Sequence, residues 1–157
     1  MERSNDDVAD VLDELALWQE LEGAVPFKVL AYRNAAESLR DLGRPIDDLV
    51  AAGEDLTQLE SIGKGMAARI EEILARGVER YREEFRASAG PGLFELLKIA
   101  GLGPKRIRTL RDELGVDSPE ALRKAAEAGQ LRELTGFGEK TEERLLRRVK
   151  RLLGETD

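Results

Sequence analysis

Apolar residues recur along most of the chain at spacings of three and four, the period of amphipathic α-helices. We predict a first helix over residues 4–23, opened by a capping box of Ser4 and Asp7. A second helix over residues 26–43 has Pro26 in its first turn. Short helices are predicted over residues 45–53 and 56–60, a helix over 64–76 closed by Gly77, and a segment over 78–92 that begins as a helix. Residues 93–115 and 131–154 repeat the plan of two helices joined by a glycine turn, and a helix capped by Ser118 lies between them over 118–129. The predicted fold class is therefore all-α.

Composition supports this prediction and limits the chemistry. Leu, Ala, Glu and Arg dominate, and aromatic residues make up only 4% of the chain. Cys and His are absent from the 157 residues. Disulfides, thiolate and imidazole metal sites, Cys nucleophiles and His general bases are thereby excluded. The stretch Gly90-Pro91-Gly92 is the best linker candidate, so we predict two domains, 1–90 and 91–157.

One local pattern occurs three times. It consists of two apolar residues three apart, then one intervening residue, a small residue, an apolar residue and a glycine, followed by an amphipathic helix. We call the copies hairpin 1 (56–63), hairpin 2 (96–103) and hairpin 3 (131–138). Their last glycines lie 40 and 35 residues apart, which indicates repeated helical units. Ser61 replaces the first glycine of hairpin 1, so we expect a less regular turn there.

Such a turn is suited to an anion. Glycine brings the backbone close to a ligand, and the unpaired N–H groups of the next helix, with its dipole, attract negative charge. A single copy would more simply join two packed helices, but three copies, each with a lysine close behind the last glycine, favour phosphate binding. We expect Gly103 to have a positive φ and to be the most sensitive position. The candidate binding residues are Ile62, Gly63, Lys64, Gly65, Gly101, Leu102, Gly103, Lys105, Arg106, Gly136, Gly138 and Lys140.

The charge distribution permits an anionic partner although the net charge is −7. Residues 1–23 hold eight acids and one base, and the rest of the chain is neutral overall. Residues 98–111 carry five bases and no acid, and residues 136–151 carry six bases against three acids. Local positive regions of this kind bind polyanions on a globally acidic protein. The arginine-rich end, taken alone, reads as a solvated helix face.

The repeat resembles the helix-hairpin-helix motif of DNA repair proteins and polymerases. "FKVLAYRNAAESLRDL" and "LESIGKGMAARIEEILARG" resemble the amino-terminal lyase domain of family X DNA polymerases, the group that contains polymerase β. Residues 96–146 resemble the fingers region of the bacterial members, and the whole resemblance covers residues 6–150. It implies a four-helix lyase-like domain with one helix-hairpin-helix, followed by a tandem helix-hairpin-helix domain. The family's palm domain with its metal-binding aspartates has no counterpart in these residues.

The resemblance also implies which chemistry is missing. The family's lyase forms a Schiff base with a lysine whose position here is Arg69, and a guanidinium is not a useful imine former. We therefore expect no catalytic residue and neither polymerase nor lyase activity. Lys28, Tyr32 and Arg69 match parts of the family's 5′-phosphate pocket, whose histidine position is Phe27. A weak lyase using Lys28 or Lys64 as a substitute amine, and a protein-interaction scaffold, are the alternatives.

The family's hairpins bind a monovalent cation, Na⁺ or K⁺, through turn carbonyls, and no other cofactor is implied. By match, these carbonyls belong to Thr57, Leu59 and Ile62, to Leu97, Ile99 and Leu102, and in the third copy to Arg132, Leu134 and Phe137.

The expected function is sequence-independent DNA binding at gaps, nicks or ends in DNA repair. The chain is expected to be either an excised piece of a family X polymerase or a free-standing relative. We expect a monomer in the cytoplasm, associated with the nucleoid and not with a membrane, because no apolar run approaches about 18 residues. A polymerase palm domain or a repair protein is an expected further partner.

Overall fold

The computed structural model describes the backbone of residues 2–155 and the side chains from Asn5 onward. These residues form α-helices and two short 3₁₀ helices, without a β-strand among them, so the all-α prediction is confirmed. The chain divides into two compact units, the first ending at Phe85 and the second beginning at Arg86.

The first unit is a helical bundle with one hairpin. Its helices are α1 (Glu2–Leu21), α2 (Pro26–Arg40), α3 (Ile46–Ala51), a 3₁₀ helix (Leu56–Gln58), α4 (Lys64–Arg76) and α5 (Val78–Ala89), the last of which contains the unit boundary. Helix α1 already begins at Glu2, so the predicted capping box at Ser4 was wrong. Buried side chains from α1, α2 and α4, including Leu12, Leu39 and Ile70, form one hydrophobic core.

One buried amide fixes the start of α3 to the beginning of the chain. Asn5 is 7% exposed, and its Oδ1 accepts a hydrogen bond from the backbone N of Ile46 at 2.7 Å. Its Nδ2 donates to the carbonyls of Arg44 at 2.9 Å and Leu42 at 3.4 Å. Asn5 thereby satisfies buried backbone groups that the loop before α3 leaves open.

The second unit contains two hairpins. Its helices are α6 (Pro91–Leu96), α7 (Pro104–Leu114), α8 (Pro119–Glu127), a 3₁₀ helix (Leu131–Glu133) and α9 (Gly138–Leu152). Pro91 and Gly92, predicted as linker residues, lie in the first turn of α6, and only Gly90 separates α6 from α5. A Cβ on Gly92 would lie 2.2 Å from the carbonyl oxygen of Asp117, so this glycine serves close packing.

The predicted helix ends are confirmed at several places. Gly77 ends α4 as predicted, with a φ of 93°. Gly115 ends α7 with a φ of 69°, and both conformations favour glycine. Ser118 caps α8, since its Oγ accepts from the backbone N of Ala121 at 3.2 Å. The sequence also predicts one apolar stripe of Leu145, Val149 and Leu152 on the last helix. Leu145 and Val149 of α9 are buried, whereas Leu152 is 38% exposed.

Candidate functional site

The three hairpins share one hydrogen-bonding pattern. Each hairpin has three apolar residues, spaced three apart. The backbone N–H of the second donates to the carbonyl of the first, and the backbone N–H of the third donates to the carbonyl of the second. The donor–acceptor distances are 3.0 and 3.3 Å for Leu56, Leu59 and Ile62, 3.1 and 3.1 Å for Leu96, Ile99 and Leu102, and 3.0 and 3.1 Å for Leu131, Leu134 and Phe137. The third apolar residue of each copy is buried, which anchors each turn in the core of its unit.

The small residue before the third apolar residue has a positive φ in every copy. The φ values are 64° for Ser61, 93° for Gly101 and 87° for Gly136. The expectation of a less regular turn at Ser61 was therefore wrong, because serine adopts the same left-handed conformation. This conformation is uncommon for a residue other than glycine.

The last glycine differs between the copies. Gly63 and Gly103 have φ of −91° and −99° and extended backbones, and each is the N-cap of the following helix. The expected positive φ at Gly103 was therefore wrong. Gly138 is different, since its φ is 68° and α9 begins with it. A Cβ on Gly63 or Gly103 would meet nothing within 4 Å, so the fold itself does not require glycine at either position.

The N-termini of α4 and α7 expose backbone N–H groups. The first helical bond of α4 is donated by Ala67 to the carbonyl of Gly63 at 2.8 Å, and that of α7 by Ile107 to Gly103 at 3.1 Å. No side chain caps either helix. The backbone N–H groups of Lys64 and Gly65 in α4, and of Lys105 in α7, therefore lie before the first donor and make no hydrogen bond within the helix.

The predicted cations of hairpin 2 have two different surroundings. Lys105 is exposed, and no carboxylate among the described side chains, those of residues 5–155, pairs with it. Arg106 instead donates from Nη1 to the carbonyl of Gly101 at 3.0 Å and from Nη2 to that of Gly136 at 3.2 Å. Its guanidinium also lies 5.5 Å from the ring centre of Phe137. Arg106 thus links hairpins 2 and 3, and its predicted role in phosphate binding stays a prediction.

Sequence reasoning missed a second arginine at hairpin 2. Arg148 of α9 donates from Nη1 to the carbonyl of Ala100 at 2.7 Å. The same nitrogen would lie 3.0 Å from a Cβ on Gly101, so α9 packs closely on this turn. No signal in the sequence separates Arg148 from the neighbouring arginines of α9, because all of them read as one charged helix face.

Hairpin 3 carries acids beside its turn. Glu142 of α9 is 2% exposed and accepts from the backbone N of Arg132 at 3.0 Å and from its Nε at 2.8 Å. Glu139, in the first turn of α9, lies 3.6 Å from Arg132 Nη1. The hydrogen bond to Glu142, with the nearby charges, raises the pKa of Arg132. Lys140 is exposed.

The structure brings together two of the three predicted pocket residues. Arg69 of α4 donates from Nη1 to Tyr81 Oη at 3.0 Å and from Nη2 to Tyr32 Oη at 3.4 Å. Partial burial alone would lower the pKa of Arg69, but the interactions with Tyr32 and Tyr81 raise it. Tyr81 was not predicted; it lies on the buried face of α5. Lys28 is exposed on α2, one turn before Tyr32.

Acids line a cleft beside hairpin 1. This cleft, of about 310 Å³, is bounded by Asn34, Glu37, Ser38, Asp41, Glu60 and Ser61. On the other arm of the hairpin, Asp55 caps the 3₁₀ helix and accepts from the Thr57 hydroxyl at 2.6 Å and its backbone N at 3.0 Å. These hydrogen bonds lower the pKa of Asp55. Hairpin 1 therefore has the same turn as hairpin 2 in acidic surroundings.

The predicted cation site at the turn carbonyls stays a prediction. The carbonyls of Leu59 and Ile99 each accept one backbone N–H, which leaves a second lone pair for a ligand. The side chains of the described residues contain no group of three or more acids that could hold a metal. None of the described helices is long and apolar enough to cross a membrane.

Comparison with known proteins agrees with this geometry. Residues 3–79 match the helix-hairpin-helix domain family, and residues 93–151 match the SAM-like helix-hairpin-helix tandem. The chain is 38% identical over 140 residues to the DNA polymerase/3'-5' exonuclease PolX of Bacillus subtilis (strain 168), covering 89% of this chain and 24% of that protein. The Holliday junction branch migration complex subunits RuvA of Acidovorax sp. (strain JS42) and Acidovorax ebreus (strain TPSY) are each 36% identical over 78 residues. Those alignments cover 50% of this chain and 37% of each RuvA.

These matches confirm the predicted resemblance to the amino-terminal helix-hairpin-helix region of bacterial family X polymerases. The chain spans about a quarter to two fifths of the length of the curated relatives it matches, 24% of PolX and 37% of RuvA.

Proposed function

We propose that this chain, which is built of helix-hairpin-helix domains and resembles the amino-terminal region of bacterial PolX, binds DNA through its phosphate backbone without reading sequence. The observation that carries this proposal is the N-terminus of α7. Its N-cap is Gly103, and no described side chain caps its amides. Lys105 lies beside these amides, and none of the carboxylates in residues 5–155 pairs with it. Amides and a lysine recognise phosphate and carry no base information.

The matched relatives support DNA as the ligand. PolX is named as a DNA polymerase and exonuclease, and RuvA as a subunit of a Holliday junction complex. Both act on DNA according to these names, and the RuvA matches cover half of this chain. A role at the nucleoid, and partnership with a polymerase palm domain or a repair protein, belong to the same proposal.

A salt titration of duplex binding tests the proposal. If about four to six phosphates are neutralised, the slope of log K against log salt concentration is about −4 to −5. Affinity should be the same for duplexes of different sequence. A slope near zero, or a strong preference for one sequence in duplexes of equal length, would contradict backbone binding.

Gapped, nicked or terminal DNA is the substrate we propose within this class. The support is the cluster of Arg69, Tyr32 and Tyr81, in which both tyrosine oxygens accept from Arg69 and keep their hydroxyl protons for an anion. Comparing a gapped duplex with and without its 5′-phosphate tests this point. Equal affinity for the two duplexes would show that the protein does not recognise the terminal 5′-phosphate.

We also propose that the cluster binds without lyase chemistry. Arg69 stands at the position of the expected nucleophile, and its pKa is raised, so its guanidinium stays protonated. Borohydride should trap no covalent adduct on an abasic substrate with the unaltered protein. A trapped adduct that disappears in Lys28→Ala or Lys64→Ala would identify a substitute amine instead. Arg69→Lys is the informative reverse variant, because it restores an amine at this position.

A further inference from the structure

Helix α9 carries a row of four cations, of which only the first, Lys140, is a predicted binding residue of a hairpin turn. Lys140, Arg144, Arg147 and Arg151 follow one another at spacings of four, three and four residues, so they share one face of the helix. All four are exposed. At a rise of about 1.5 Å per residue, the row is about 16 Å long. We call these four residues the cationic row.

No acid of α9 forms an ion pair with the row, although Glu143 lies beside it, three residues after Lys140 and four before Arg147. Glu142 and Glu139 pair with Arg132, and the charge of Glu143 also acts on Arg132, whose pKa is raised chiefly by its hydrogen bond to Glu142. Among the side chains of residues 5–155, no carboxylate lies within 4.0 Å of any of the four row cations. The row is therefore a surface of positive charge without an ion-pair partner in this part of the chain.

This arrangement differs from that of an ordinary solvated helix. On α5, for example, Arg80 pairs with Glu84 one turn later at 3.0 Å. Like charges three and four residues apart repel one another, so the row lowers the stability of the free helix. A bound polyanion would remove this repulsion.

The row is continuous with both hairpins of the second unit. Lys140 lies in the first turn of α9, directly after hairpin 3. On one flank of the row, Arg148 holds the carbonyl of Ala100 in hairpin 2 at 2.7 Å. A phosphate backbone held at these turns would therefore meet the row next.

We propose that the cationic row is a second phosphate-binding surface, along which the DNA backbone runs beyond the turns of hairpins 2 and 3. This inference rests on the proposed function and deepens it. Guanidinium groups suit this task, because their planar donors match phosphate oxygens in pairs.

The test compares two triple variants in the same salt titration on a duplex of about 20 base pairs. Arg144→Gln/Arg147→Gln/Arg151→Gln removes three row charges. The control Arg33→Gln/Arg76→Gln/Arg80→Gln changes the net charge equally but removes arginines that already pair with acids. In the row variant, the slope of log K against log salt concentration should become less steep by about 2 to 3, and the affinity at 0.1 M salt should fall about 100-fold. In the control variant, slope and affinity should change little. A third variant with lysine at the same three row positions should keep the slope.

The outcomes separate this inference from the proposed function. If the unaltered protein shows no salt-dependent DNA binding, the proposed function fails. If it binds and the row variant titrates like the control, the cationic row is overturned while the proposed function stands. Loss of slope in the lysine variant would also overturn the inference, because the charge is preserved there. Displacement of DNA by polyaspartate at an equal concentration of charge would overturn DNA as the occupant. Circular dichroism on each variant must show an intact helical fold.

Discussion

The two units contain the same hairpin turn in opposite electrostatic surroundings. Up to Phe85 the chain has 10 bases and 20 acids, a net charge of −10, and from Arg86 onward it has 15 bases and 12 acids, a net charge of +3. Yet hairpin 1 and hairpin 2 have equal turn hydrogen bonding and the same extended N-cap glycine. Turn geometry and phosphate attraction are thus separate properties of a hairpin.

The pairing of arginines follows the same division. All seven arginines from Arg33 to Arg82 have a carboxylate within 4.0 Å. In the second unit, Arg108, Arg144, Arg147 and Arg151 have no such partner among the side chains of residues 5–155, and Arg106 and Arg148 bond to backbone carbonyls. The charge of these six arginines is therefore not compensated by an ion pair within that part of the chain, whereas the charge of each arginine from Arg33 to Arg82 is.

Stability offers the sharpest contrast, because each unit has one buried polar side chain among the described residues. In the second unit, Glu142→Ala removes the acceptor of the Arg132 backbone N–H and the partner of its side chain. We expect a loss of about 2 to 3 kcal/mol, less than for a fully buried pair since Arg132 stays partly exposed. In the first unit, Asn5→Ala leaves the N–H of Ile46 without its acceptor and should cost about 1 to 3 kcal/mol.

Two probes assign these losses to their units. Trp18, the single tryptophan, contacts Phe85 in the first unit with ring centres 6.2 Å apart, so its fluorescence reports that unit. Circular dichroism reports both units. Glu142→Ala should change the dichroism melt and leave the Trp18 melt unchanged, and Asn5→Ala should shift the Trp18 melt. Glu142→Gln is the control, because its amide oxygen still accepts from Arg132. Equal shifts of both probes in either variant would show that the units do not unfold separately.

DNA affinity provides the next contrast, between two glycines of equal geometry. Valine at Gly63 or Gly103 meets no protein atom within 4 Å and needs no unusual φ. Gly103→Val places a side chain where a phosphate would approach, and should weaken duplex binding about tenfold, or 1.4 kcal/mol. Gly63→Val should weaken it less than about threefold, or 0.7 kcal/mol, because the acids beside hairpin 1 already repel phosphate.

The comparison of these two variants requires an intact fold, which dichroism should confirm for both. Gly138→Val is a poor control, since the positive φ of Gly138 would strain any other side chain. If Gly63→Val weakens binding as much as Gly103→Val, the acidic cleft does not decide which hairpin holds DNA.

The sequence predicted the repeated elements well, because spacing alone determines them. The triplets Leu56-Leu59-Ile62 and Leu96-Ile99-Leu102 have the same spacing in the sequence, and each forms the same backbone hydrogen bonds. The sequence also indicated Gly77 as a helix end, since a glycine after an amphipathic run is a common stop signal.

Backbone angles, and side-chain contacts between residues that are far apart in the sequence, could not be predicted in the same way. The repeat contains two small residues, and spacing does not reveal their backbone angles. The first has a positive φ in every copy, whereas the second is an extended N-cap in hairpins 1 and 2 and has a positive φ in hairpin 3. The partners of Arg106, Arg148 and Arg132 lie 5 to 48 residues away, at backbone carbonyls or at Glu142. A carbonyl is present at every residue, so the sequence carries no signal for it.

The smallest expected effects are those of single substitutions at Lys105 and Arg106, two adjacent cations with different roles. Arg106 donates to the carbonyls of Gly101 and Gly136 and lies over Phe137, whereas Lys105 is exposed and has no carboxylate partner within residues 5–155. Arg106→Gln should therefore lower the stability of the second unit by about 1 kcal/mol and leave the salt slope of DNA binding nearly unchanged. Lys105→Gln should do the reverse, reducing the slope by about 1 with an unchanged melt. The two variants remove one charge each from adjacent positions, so each serves as the control for the other. If Arg106→Gln loses slope and keeps its stability, Arg106 is a phosphate ligand as the sequence predicted, and the link between hairpins 2 and 3 does not depend on it.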